Sequence, residues 1–148
     1  MTLDEKLAHL RVIFVDTAPV IYYIEAHSLF GPLAKQVVEA FQSGRLRAFS
    51  SVITLIEVLP KPIETGNTGL AEQFTVFLRH GKNIDLAEIS ADIAESAGKL
   101  RGKYPALRAM DAIQLAVALD VSADAFITND RRLKPVTEID IVVLKDYL

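Results

Sequence analysis

The sequence predicts an α/β fold in three layers, a central parallel sheet flanked by helices, and three observations carry that expectation. Segments of strand and helix character alternate along the chain. The strand segments, as in "RVIFVD", "DAFIT" and "EIDIVVL", are nearly continuous apolar runs, the pattern of strands covered on both faces. A length of 148 residues suits one domain with a single substantial core.

The elements follow in order. Thr2 and Glu5 have capping-box spacing, so residues 3–9 read as a short leading helix. "RVIFVD" (11–16) is the first strand. "APVIYYIEA" and "PLAKQVVEAFQSG" read as helices, the second stopped by Gly44. "LRAFS" (46–50) is the second strand, with a helix from about Val52. "PKPIETGNTG" (60–69), with two prolines and then two glycines, reads as a loop between helices. Residues 70–80 look helical, "NIDLAEI" holds a short strand, and 90–103 form an amphipathic helix. "AMDAIQLAVALD" is apolar almost throughout, hence a buried helix, and "DAFIT" and "EIDIVVL" supply the last two strands.

Composition narrows the function classes. The net charge of −3 provides no basic field for nonspecific nucleic-acid binding, although it leaves room for an acidic site bridged to phosphate by a cation. No apolar stretch approaches the ~20 residues of a membrane helix, and "MTLDEKLAHL" lacks the apolar core of a signal peptide. The absence of cysteine excludes disulfides and thiolate metal sites and fits a cytoplasmic location. His9, His27 and His80 are far apart, and neither a P-loop nor a nucleophile elbow occurs.

In open parallel sheets the functional crevice lies beyond the carboxyl ends of the strands. Asp16 ends the first strand, and Thr128, Asn129 and Asp130 end the fourth. Each acid has a plain alternative: Asp16 or Thr17 as a helix N-cap, Asp130 as a turn residue. Glu57 sits among aliphatic residues, where Thr54, Glu57 and Lys61 could instead form a solvated stripe. Asp111 and Gln114 have capping-box spacing; if the helix begins near Tyr104-Pro105, Asp111 lies inside it and needs a partner. Four acids brought to one edge would repel one another unless a cation neutralised them. Hard oxygen donors without His or Cys suit Mg2+ or Mn2+, which position water and stabilise charge on a phosphodiester.

The ordered set "VIFVDT", "SSVITLIEV", "RAMDAIQLAVAL" and "DAFITNDRRL" resembles the PIN-domain ribonucleases, and within them the VapC-type toxins. The likeness begins near Arg11, which divides the chain into a short helical extension (1–10) and a PIN domain (11–148). The resemblance implies sheet order 3-2-1-4-5, a metal-dependent endoribonuclease activity, and a site built from Asp16, Glu57, Asp111 and Asp130. It implies that Thr17 and Thr128 orient those carboxylates, with Asn129 in support, and that Mg2+ or Mn2+ is the cofactor. It further implies an RNA substrate, a small antitoxin partner and a homodimer. Some members carry another acid just after the position of Asp130, where this chain has Arg131, Arg132 and Leu133. That departure points to one firmly held ion and leaves a second open.

Arg131 and Arg132 beside Asp130 are candidate phosphate contacts, against a plain solvated turn. The run Val20, Ile21, Tyr22, Tyr23, Ile24 exceeds one buried helical stripe and suggests that these helices form the dimer contact. Two rival functions remain at this level. One is a non-catalytic PIN-like module that binds protein. The other is a receiver-like domain transferring phosphoryl through aspartate, with Lys145 after the last strand; it leaves Glu57 and Asp111 without a role.

Overall fold

Short strands, the central β1 (Val12–Val15) among them an unbroken apolar run, alternate with helices along the chain. In the computed structural model, which describes residues 1–148, five strands form one sheet: β1 (Val12–Val15), β2 (Arg47–Ser51), β3 (Ile84–Ala87), β4 (Ala125–Thr128) and β5 (Asp140–Val143). Their order is β3-β2-β1-β4-β5, and every neighbouring pair is parallel. A receiver-like sheet runs 2-1-3-4-5. The observed order excludes that rival.

The two-residue period of the strands divides the core between the two faces of the sheet. Ile13 and Val15 of β1 and Ala125 and Ile127 of β4 enter the larger cluster, with α1 (Leu3–Ala8), α3 (Gly31–Gln42) and α6 (Thr68–His80). Phe14 and Phe126 point the other way and stack at 5.2 Å in the second cluster, under α7 (Ala91–Lys103) and α8 (Ala109–Asp120). The remaining helices are α2 (Thr17–Ile24), α4 (Val52–Val58) and α5 (Pro60–Glu64).

The leading helix forms as its spacing predicts, with Thr2 Oγ1 accepting from the Glu5 N–H at 3.1 Å. Leu3 and Leu7 are buried in the larger core, so α1 packs onto the domain. Gly44 follows α3 at a φ of +85°, a left-handed conformation that glycine adopts without strain. Two expectations require correction. The stretch 60–69 is not all loop, because Pro60–Glu64 form α5. Pro60 opens that helix, where a missing N–H costs no hydrogen bond. Helix α8 begins at Ala109, so Asp111 lies in its first turn, and the cap residue Arg108 makes no side-chain capping bond. The Asp111–Gln114 spacing is therefore not a capping box.

Candidate active site

Strands β1 and β4 are hydrogen-bonded neighbours, so the residues that follow them emerge side by side. Asp16 extends the ladder, its N–H donating to the Ile127 carbonyl at 2.9 Å, and then caps α2. Its Oδ1 accepts from the Thr17 N–H at 2.9 Å and its Oδ2 from the Thr128 hydroxyl at 2.8 Å. The capping reading and the site reading of Asp16 thus hold together.

Glu57 arrives from α4. Its Oε1 accepts a 2.6 Å hydrogen bond from the Thr17 hydroxyl, and no ion pair with Lys61 forms. Behind Thr17 runs a buried polar chain. Thr17 Oγ1 lies 3.1 Å from Thr54 Oγ1, Gln114 Nε2 donates to Thr54 at 2.8 Å, and the Ser51 hydroxyl donates to Gln114 Oε1. Nothing local in the sequence marks Gln114 for this role, since its partners lie 60 and 63 positions away.

Asp111 and Asp130 are held by arginines. Arg108 Nε donates to Asp111 Oδ2 at 2.9 Å. Arg132 grips Asp130 through two side-chain hydrogen bonds of 2.9 and 2.8 Å, and its backbone N–H adds a third at 3.0 Å. Arg108 also reaches within 3.9 Å of Asp130. Sequence reading considered Arg132 for phosphate and missed Arg108, although its three-residue spacing from Asp111 was a visible signal.

All four acids line one open crevice of about 410 Å3, together with Thr17, Thr128, Asn129, Arg108 and Arg132. Asn129 is buried; it donates to the Tyr22 hydroxyl at 3.1 Å and accepts from the Lys145 N–H at 2.9 Å, fixing the end of β4. Arg131 is not in the crevice and pairs instead with Asp146 at 2.9 Å.

The electrostatics separate the acids. Burial pushes the Asp16 carboxyl up to about 6; bonds from Thr17 and Thr128 oppose the rise, and the charges of Asp111 and Glu57 add to it. The Arg132 guanidinium holds Asp130 below the usual carboxylate range. No three acidic or histidine side chains are gathered closely enough to form a ready cation cage. The donor set nevertheless fits a hard divalent cation. Its acids and threonines offer carboxylate and hydroxyl oxygen, and the ionised form of Asp16 is disfavoured chiefly by burial, with the charges of Asp111 and Glu57 adding to it.

The PIN domain family model matches residues 13–139. The chain belongs to the PIN domain family. Among solved structures, this PIN domain resembles VapBC2 of Rickettsia felis, bound to a promoter DNA fragment (TM-score 0.71, 16% identity, covering 88% of this chain and 96% of that one). It also resembles a toxin–antitoxin complex from Klebsiella pneumoniae (TM-score 0.67, 25% identity, 89% and 97%). A third is VapC20 of Mycobacterium tuberculosis, described as a sarcin-ricin loop cleaving toxin (TM-score 0.61, 20% identity, 77% and 86%). A comparison with curated protein sequences gave no match. No helix of this PIN domain is long and apolar enough to cross a membrane.

Proposed function

We propose that the protein is a metal-dependent endoribonuclease, the toxin of a toxin–antitoxin pair, acting in the cytoplasm. One observation carries the reading: four acids from four segments line a single crevice at the carboxyl edge of a PIN sheet. The toxin–antitoxin complexes among the structural relatives support an antitoxin partner, and the RNA-cleaving relative supports RNA as substrate.

Asp16, Glu57, Asp111 and Asp130 would hold a Mg2+ or Mn2+ ion. Such an ion supplies charge neutralisation at a scissile phosphodiester and lowers the pKa of water. The chain's own residues provide the rest. Thr17 and Thr128 fix both oxygens of Asp16, so the carboxylate faces the crevice in one orientation. Thr17 also anchors Glu57, and the Gln114 chain holds Thr17 from behind. Arg108 and Arg132 neutralise Asp111 and Asp130 in the free protein and stand at the rim, where a phosphate would meet them.

The arginine pairing also favours a second reading, a PIN-like module that binds protein without catalysis. One experiment separates them. Purified protein is incubated with total RNA in Mn2+ and in EDTA, beside Asp16→Asn. Cleavage that requires Mn2+ and falls at least ~100-fold in the variant supports the nuclease. Equal cleavage by both proteins, or none by either, rejects it.

A further inference from the structure

A second cavity of about 410 Å3 opens beside the acidic crevice and shares four residues with it: Arg108, Asp111, Asp130 and Arg132. Its own lining differs in character. Leu107, Leu133 and Val136 are buried and form an apolar floor, Tyr104 makes one wall, and Pro105 and Pro135 lie at the rim. Two loops build it, one between α7 and α8 and one between β4 and β5. They are tied together at Tyr104, whose hydroxyl donates to Glu138 and accepts from the Thr137 N–H at 3.3 Å. The aromatic ring is therefore fixed before any ligand arrives.

We infer that this cavity receives a nucleobase of the RNA strand, the base next to the phosphate held in the acidic crevice. The inference rests on the nuclease reading for the identity of the strand, and four features support it. The volume lies in the range of small-ligand pockets, ~300–1,000 Å3. An apolar floor with one fixed aromatic wall suits the face of a base, which stacks on aromatic side chains. The shared boundary carries two guanidinium groups, and each nucleotide presents its phosphate beside its base. The two cavities meet at Arg108, Asp111, Asp130 and Arg132, so one strand crossing that boundary can reach both. A base can enter only if it is unstacked, so the site selects single-stranded or loop RNA over a duplex.

Abasic scanning tests the inference. The bond cut in a short single-stranded RNA is first mapped, and an abasic nucleotide is then placed at each position around it. Affinity is measured by fluorescence anisotropy with Mn2+ and in EDTA, and KM and kcat by cleavage. For wild type, one flanking position should lose about tenfold in affinity and show a KM about tenfold higher with kcat little changed, the weight of one stacked base. Ala106→Leu fills the cavity from an exposed rim position, and Tyr104→Leu removes the aromatic wall. Both should bind intact RNA about tenfold more weakly and show no further loss at that position.

A flat scan in wild type, or wild-type affinity for intact RNA in Ala106→Leu, overturns the inference and leaves the nuclease reading standing. A position-dependent scan without any cleavage keeps the base pocket and removes the nuclease. If no strand binds under either condition, both fail.

Discussion

The fold opposes the ionisation of Asp16. Its folded value of about 6 lies above the ordinary 3.8, so the folded protein binds a proton more tightly than the unfolded chain. Stability from this group is therefore greatest below pH ~4 and is lost as pH rises through ~6. The full shift corresponds to at most ~3 kcal/mol, and partial exposure of the side chain reduces it. Asp16→Asn keeps a capping oxygen and removes the charge, so in EDTA at pH 7.5 it should melt ~3–6 °C above wild type. The gain should vanish near pH 4, and Mn2+ should raise wild type and not the variant. Thermal melts between pH 4 and 8 check this, and a variant that melts lower at pH 7.5 would show that the charge is stabilising. Asp130 predicts the opposite behaviour, because Arg132 already stabilises its ionised form. Removing that partner with Arg132→Ala should tighten Mn2+ binding several-fold by calorimetry and weaken RNA binding. Unchanged Mn2+ affinity would mean that the guanidinium does not compete for the site. The acids themselves were legible in the sequence, each standing at a strand end or among apolar neighbours. Of the arginine pairings, the Arg108–Asp111 spacing was visible and the clamp on Asp130 was not, because Asp130 faces both a residue two positions on and one 22 positions back.

At the scale of elements, alternation of strand-like and amphipathic stretches was enough to place all five strands, although only β1, β4 and β5 carry dense apolar runs and β2 (RAFSS) and β3 (IDLA) do not. Short helices with unusual starts were harder. The prolines of α5 read as loop signals, yet at a first turn they break no hydrogen bond. The role of Gln114 stayed hidden for a related reason: local spacing offered a cap as one alternative, whereas its partners belong to β2 and α4, far away in sequence. Those bonds tie α8 to α4 and, through Thr54 and Thr17, to Glu57. Gln114→Leu keeps the volume and leaves Ser51 and Thr54 short of partners in the interior. It should cost ~1–3 kcal/mol in urea unfolding, the price of unsatisfied buried hydroxyls. Because the chain ends on Glu57, cleavage should fall as well, whereas the exposed control Glu72→Gln on α6 should change neither. Stability lost with full activity kept would confine the chain to a structural role.

At the scale of the whole molecule, strand order followed from likeness to a family, because alternation alone does not decide which strands are neighbours. Assembly is a further step, and here the monomer redirects the expectation. In the run from Val20 to Ile24, Val20 is buried and the others pack against the larger core. Tyr23 lies 5.4 Å from Phe77, and the Tyr22 hydroxyl is held by Asn129. That run leaves less free apolar surface than its composition suggests. Besides scattered exposed side chains at Leu29, Val76 and Leu148, two exposed aliphatic chains lie near each other on α4 and α5, where Ile56 is 58% and Ile63 63% exposed. Leu55, Leu59 and Pro60 join them around one shallow apolar depression. Contiguous apolar surface of this kind marks contact sites more often than scattered single residues do. If the protein is a homodimer through this face, light scattering at ~100 μM should give twice the chain mass for wild type. The double variant Ile56→Lys, Ile63→Lys should give the mass of one chain, because burying two unpaired ammonium groups would cost several kcal/mol. Both positions are exposed, so the melting temperature should hold, separating lost assembly from lost folding. A dimer that persists in the variant would return the interface to α2, and a monomeric wild type would rule out self-association through either face.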